Sequence, residues 1–255
     1  MNETLLAVKE VSKYFGGLKA LDRIDFEVKS GEILGLIGPN GAGKTVCFNL
    51  ISGVYGSSSG KIMFNGRRTD GTASHQVAKL GVGRTFQIVK PFASLSVLEN
   101  VLVARGIARY QNFVKIWSSW KSNSERQKGL KMLERVGLAD LANRKAGLLP
   151  LGNLRRLEIA RALTVGTRLI LLDESFSGLR HEEITHLEAL IRGIRDDGTA
   201  VLLIEHNMRV AMELCDRLVV LDHGRKIAEG SPEAIRQNER VVEAYLGRKE
   251  AGNAA

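Results

Sequence analysis

Residues 32–37, 168–173 and 200–204 are apolar at nearly every position, the pattern of strands buried on both faces. Helical periodicity follows the second and third of these, at residues 181–195 and 208–214. Such β–α–β alternation predicts a parallel sheet. Nearer the N-terminus the period shortens to two: residues 5–11 alternate, and Ile24, Phe26 and Val28 share one face of residues 23–28. Residues 60–66 read as a short strand closed by an Asn65-Gly66 turn. From about residue 96 to 164 the pattern is helical. Ser96-Val97-Leu98-Glu99 opens it as a capping box, and Leu130, Leu133 and Val136, with Met132 beside them, mark an amphipathic helix. Two late strands, 218–222 and 226–229, meet at His223-Gly224; Pro232 then starts a short helix and residues 239–246 form another. With no internal repeat or low-complexity linker, the expectation is one α/β domain over residues 1–255. It has a parallel-sheet core, an N-terminal antiparallel β subdomain and a helical subdomain inserted at approximately 88–165.

Composition narrows this little. An apolar content of 44% and a charged content of 25% are ordinary for a globular chain of 255 residues. The longest apolar runs, 169–172 and 201–204, fall far short of the ~18 residues of a membrane span. The N-terminus lacks a basic stretch followed by an apolar one, so no signal peptide is expected. Two cysteines without metal-type spacing, Cys47 and Cys215, fit a reduced, cytoplasmic compartment. Cys47 is either activated by a helix N-terminus or a small buried residue. The net charge of +9 suits nucleic acid, anionic lipid, an acidic protein or a solvated face. It concentrates at Arg67-Arg68, residues 115–131 and Arg155-Arg156, without the aromatic interleaving of a single-strand binding platform. Trp117 and Trp120, beside Lys115, make either an interfacial stretch or a helix packed on its own domain.

The chemistry lies in Gly38-Pro39-Asn40-Gly41-Ala42-Gly43-Lys44-Thr45, a complete G-x-x-x-x-G-K-[ST] phosphate loop. An apolar strand precedes it and a helical stretch, residues 46–52, follows. That is the context the motif requires. Glycines let successive backbone N–H groups turn inward around phosphate oxygens, and the helix points its positive end at the same anion. Lys44 supplies a point charge for the β- and γ-phosphates, and the Thr45 hydroxyl is a Mg²⁺ ligand. The sequence thus implies nucleoside triphosphate binding. Asp173-Glu174 end a buried strand, where open parallel sheets bind ligands. Asp173 is expected to hold Mg²⁺, and Glu174 to polarise or orient the attacking water.

With these residues in order the chain resembles, over almost its whole length, the ATP-binding subunits of ATP-binding-cassette (ABC) transporters. The order is phosphate loop, Gln87 in Arg84-Thr85-Phe86-Gln87, a signature region at Leu149-Pro150-Leu151-Gly152-Asn153, Asp173-Glu174, and His206. Tyr14-Phe15-Gly16-Gly17-Leu18, Gly83-Arg84-Thr85-Phe86-Gln87, residues 155–163 and Glu243-Ala244-Tyr245-Leu246-Gly247 are similar to the branched-chain amino acid uptake branch. The resemblance implies a P-loop NTPase (ABC ATPase) core using ATP and Mg²⁺. Phe15, or Tyr14 beside it, would stack on adenine, and residues 38–46, Gly38 to Val46, would cradle the phosphates. Gln87 would join Thr45 and Asp173 at the metal and touch the attacking water. His206 would contact the γ-phosphate, so that Lys44, Gln87, Glu174 and His206 carry catalysis.

The implied partners are two transmembrane permease subunits, a second ATPase subunit and, indirectly, a soluble solute-binding protein. No nucleic acid is implied, and the location is peripheral on the cytoplasmic face of the inner membrane. The implied function is an importer ATPase for a small polar solute, branched-chain amino acids first. The alternatives are a nucleotide-gated regulatory subunit with weak hydrolysis, and a nucleic-acid ATPase of the same superfamily.

Several positions depart from the family pattern. Val46 replaces a second threonine, Leu151 and Asn153 alter the signature, Ser175 replaces a proline, and Arg180 replaces an Asp or Asn. In the family each ATP lies between one subunit's phosphate loop and the other's signature. The departures therefore favour a heterodimer, with a homodimer as the alternative, in which this chain keeps its own site and lends a weakened signature.

Overall fold

The three all-apolar stretches become adjacent strands. A computed structural model describes residues 3–85, 90–109, 122–164 and 166–252. The strands are β1 (Thr4–Phe15), β2 (Leu18–Lys29), β3 (Ile33–Ile37), β4 (Ser59–Phe64), β5 (Arg67–Arg68), β6 (Val82–Arg84), β7 (Leu169–Asp173), β8 (Ala200–Ile204), β9 (Arg217–Asp222) and β10 (Arg225–Gly230). The helices are α1 (Lys44–Ile51), α2 (Ser74–Lys79), α3 (Val97–Arg109), α4 (Asn123–Arg135), α5 (Leu151–Leu163), α6 (His181–Asp196), α7 (Met208–Leu214), α8 (Pro232–Arg236) and α9 (Glu239–Gly252).

Two sheets form. One is antiparallel, in the order β2-β1-β4-β5; the other runs β10-β9-β3-β8-β7-β6 and is parallel except at β10. Every residue of β3, β7 and β8 is buried, which is why those strands lack alternation. The alternation survives in which side each residue faces. Leu34, Leu36, Leu171, Leu202 and Leu221 pack with α1 and the antiparallel sheet, while Ile33, Ile37, Leu172, Leu203 and Val220 pack under α5–α7. A third core, with Val97, Leu98, Val101, Leu133 and Leu157, holds α3, α4 and α5 together. The expected capping box is present: Ser96 N–H donates to Glu99 Oε2 (2.7 Å) and Glu99 N–H to Ser96 Oγ (3.1 Å).

Some surface expectations change. Arg155 is buried beside Glu158 (3.7 Å), one helical turn on, so it adds nothing to a basic face. Arg68 is paired with Asp70 at 2.7 Å. Residues 113–120, with both tryptophans, lie outside the described residues. Among the described residues no helix is long and apolar enough to cross a membrane.

Candidate nucleotide site

The carboxyl ends of β3, β6, β7, β8 and β9 meet along one edge of the parallel sheet, the edge at which such sheets bind ligands. Beyond β3 the chain turns through Gly38, Gly41 and Gly43, all at positive φ. A Cβ on Gly38 would stand 2.0 Å from the Leu221 carbonyl oxygen, so only glycine fits. Gly43 is the left-handed N-cap of α1, and no acid sits in the first turn. The first turn of α1, residues 44–46, lines an open cleft of about 710 Å³, so the positive end of the helix is turned toward it. The helix begins at Lys44, two residues earlier than the sequence pattern suggests.

Residues 40–46 line this cleft together with Glu174 and His206. Lys44 is 5% exposed, and its ammonium donates to Gly38 O (2.6 Å) and Pro39 O (2.9 Å). Thr45 is exposed, while Val46 is half-buried against the core, which gives this hydrophobic substitution a packing role. Glu174 adopts φ 50°, a left-handed conformation costing a non-glycine residue roughly 1–3 kcal/mol. Its N–H on Ile204 O (2.9 Å) and its carbonyl under Ser177 N–H (3.2 Å) hold it there. The Glu174 carboxylate then accepts from His206 Nε2 at 2.8 Å.

Asp173 lies behind this pair, its side chain 7% exposed. Burial pushes its carboxyl above the ordinary range, and the Arg84 guanidinium opposes that shift. Its backbone N–H meets Thr85 Oγ1 (3.3 Å), which in turn lies 3.4 Å from the hydroxyl of buried Ser175. Ser175 thus has a polar partner in the place where the family pattern has proline. The Thr45 hydroxyl and the Asp173 carboxylate are hard oxygen donors. They suit Mg²⁺, which one or two carboxylates commonly share with substrate phosphates.

The remaining expectations divide. Phe15 and Tyr14 are 40% and 41% exposed at the end of β1. Phe15 meets the Tyr55 ring edge-on at 5.4 Å, but Leu18, Lys19 and Ala20 are what line that side of the cleft. Gln87 lies outside the described residues. Burial raises the Cys47 thiol to about 12, so packing overrides any activation by the helix end. The glycine of the expected signature, Gly152, lies in the first turn of α5 against α6: a Cβ there would lie 2.5 Å from Glu183 Oε1. Asn153 Oδ1 accepts a hydrogen bond from Arg156.

Four groups take places at the site to which the sequence assigns no role. Arg84 joins β6 to Asp173 (3.3 Å). Glu205, buried beside His206, accepts from Phe176 N–H at 3.0 Å. His223-Gly224, expected only as a strand connection, line the cleft. Tyr245 of α9 reaches the Gly38 backbone, and burial raises its phenol to about 12. For Arg84 the available signal was a charged residue ending a buried strand; for Glu205, an acid beside the loop histidine.

A parallel sheet whose first buried strand feeds a phosphate loop defines a P-loop NTPase. The comparisons narrow this. The ABC transporter family model matches residues 21–177, and a branched-chain amino acid ATP-binding cassette transporter model matches residues 225–251. The chain belongs to the ABC transporter family, as an ATP-binding, ATP-hydrolysing subunit. It is 40% identical over 253 residues to the high-affinity branched-chain amino acid transport ATP-binding protein LivG of Escherichia coli K12, covering 97% of this chain and 99% of that protein. BraF of Pseudomonas aeruginosa is equally similar, at 40% over the same coverage. The ADP conformation of the MJ1267 cassette superposes with a TM-score of 0.86 at 30% identity, covering 96% of this chain and 99% of that one.

Proposed function

We propose that this chain is the motor subunit of an importer for branched-chain amino acids, working peripherally at the cytoplasmic face of the inner membrane. The observation carrying the mechanism is the cleft in which residues 40–46 face the Glu174–His206 pair. Residues 38–46 and the α1 N-terminus bind the ATP phosphates, with Lys44 leaving its own loop carbonyls for the β- and γ-oxygens. Glu174 takes the proton of the attacking water or orients it. His206 holds the Glu174 carboxylate in place and meets the γ-phosphate. Thr45 and Asp173 would hold Mg²⁺, which neutralises phosphate charge when bound; Gln87 joins them. Phe15 or Tyr14 stacks on the base.

The solute assignment is supported by the names of the 40%-identical relatives and by the family match at residues 225–251. Two transmembrane permeases and a solute-binding protein complete the assembly, since the motor has no contact with the solute. The second motor is a different cassette: Leu151, Asn153 and Arg180 weaken the signature this chain lends, while its own loop is intact.

The test is Mg²⁺-ATP hydrolysis over rising concentration, alone and with the partner cassette, with Glu174→Gln as control. The heterodimer reading expects turnover only on mixing. A rate per molecule that climbs for the chain alone overturns it in favour of a homodimer. Turnover unchanged by Glu174→Gln in the assembled transporter overturns the catalytic assignment. Reconstituted transport that ignores leucine, isoleucine and valine overturns the solute.

A further inference from the structure

Arg84 ends β6, where it is paired in register with Leu171, two residues before Asp173 on the neighbouring strand. Its side chain is only 12% exposed. One guanidinium nitrogen donates to Asn49 Oδ1 (2.7 Å) and Ser52 Oγ (2.8 Å), at the far end of the helix that follows the phosphate loop. The second terminal nitrogen, Nη2, donates to Asp173 Oδ2 at 3.3 Å. Ser52 spends its own proton on Phe48 O (2.7 Å), which leaves its oxygen as an acceptor toward Arg84. The guanidinium also lies over the Phe48 ring, 6.0 Å from its centre. The group is thus held by α1 on one side and turned against the acid on the other.

We propose that Arg84 is a positioning residue that locks the Asp173 carboxylate to helix α1, so that the cation-facing acid and the phosphate loop keep one fixed spacing. The inference rests on the reading of Asp173 as the acid that faces Mg²⁺. A strut between β6 and α1 would need only Asn49 and Ser52. The third contact, to an acid on a different strand, is what a strut does not require. A planar fork is also what makes the three contacts compatible; a lysine ammonium at the same place is a point charge without that geometry. The contact uses one carboxylate oxygen through one nitrogen, so it orients the acid without enclosing it.

The experiment titrates Mg²⁺ into the full-length chain carrying a fluorescent ATP analogue, for wild type, Arg84→Met, Arg84→Lys, Asn49→Ala and Asp173→Asn. Binding of the analogue without Mg²⁺ is measured alongside. We expect Arg84→Met to weaken the apparent Mg²⁺ affinity roughly 10-fold or more, as loss of an outer partner of a metal ligand does. Metal-free analogue binding should stay unchanged, Arg84→Lys should fall between, and Asn49→Ala should show a smaller loss. Wild-type Mg²⁺ affinity in Arg84→Met, with a loss in Asp173→Asn, overturns the role of Arg84 and leaves that of Asp173. Wild-type affinity in Asp173→Asn overturns both. Tighter Mg²⁺ binding in Arg84→Met also overturns the proposal, because it would make the arginine a competitor of the cation. Should Arg84→Met fail to fold, wild-type Mg²⁺ dependence in both Arg84→Lys and Asn49→Ala overturns it equally.

Discussion

His206 Nε2 lies 2.8 Å from Glu174 Oε1, joining the ends of β7 and β8 across the mouth of the phosphate cleft. The two backbones are fastened as well, since Glu174 N–H donates to Ile204 O at 2.9 Å. Glu174 therefore has little freedom of its own, and its side chain is 18% exposed toward the cleft. Replacing the carboxylate with an amide keeps the shape and the His206 partner while removing the proposed base. We expect Glu174→Gln to lower phosphate release by the assembled ATPase about 10²–10⁴-fold, with ATP binding retained. Single-turnover assays with equilibrium binding check both halves. His206→Ala should lower turnover too, because it releases the carboxylate from its partner and removes the proposed γ-phosphate contact.

Val46 points to a separable effect. It is half-buried against the core, on the helix whose N-terminus faces the cleft. Val46→Thr adds one hydroxyl at nearly constant volume. If that hydroxyl reaches the phosphates, the gain is about 0.5–1.5 kcal/mol, several-fold in ATP affinity. Calorimetric titration of wild type and variant checks it. Unchanged affinity would mean that the hydroxyl turns to the core.

Arg180 weakens the start of α6. As N-cap it donates its backbone N–H to Glu183 Oε2 (3.0 Å), but its side chain has no acceptor to return to the helix. Only half of the reciprocal cap is made. Arg180→Asp supplies the missing oxygen, and we expect a gain of about 1 kcal/mol. In a chain of this size that corresponds to roughly 2–4 °C in Tm by thermal melting. A melt at or below the wild-type temperature sinks the cap argument.

These departures were visible as letters, but their meaning was not. β3, β7 and β8 could be read from sequence because burial on both faces leaves an unbroken apolar run. β1 and β2 run well past the alternating residues 5–11 and 23–28, because register shifts in their pairing break the period of two. The phosphate loop and the acids at the end of β7 were legible because each is local in sequence. Arg84 was not, since its partners sit at positions 49, 52 and 173 and only the sheet brings them together. Arg155 reads as part of a basic cluster but is buried, because no local pattern shows that its helix is covered on the face it occupies. Gly152 shows the same limit. A Cβ at that position would meet Glu183 Oε1, so Gly152→Ala obliges the Glu183 side chain of this same chain to move, a contact no motif reveals.

Glu205 makes the stability of the nucleotide edge depend on pH. It is 3% exposed, and burial raises its carboxyl to about 7 from the usual 4.5, helped by the nearby charge of Glu174. The N–H groups of Phe176, His206 and Asn207 oppose that shift only in part. Because the folded value exceeds the unfolded one, the native state binds more protons between pH 4.5 and 7. The stability gained from the neutral form is fully present below about pH 4.5 and is lost as pH rises through about 7. The loss is on the order of 3 kcal/mol at full ionisation. Glu205→Gln removes the titration while keeping an oxygen for the Phe176 N–H. We therefore expect the difference in unfolding free energy, variant minus wild type, to become more positive between pH 5 and pH 8 in urea titrations. A difference that is flat across this range would mean that Glu205 ionises without penalty, with its three backbone N–H groups replacing water in full.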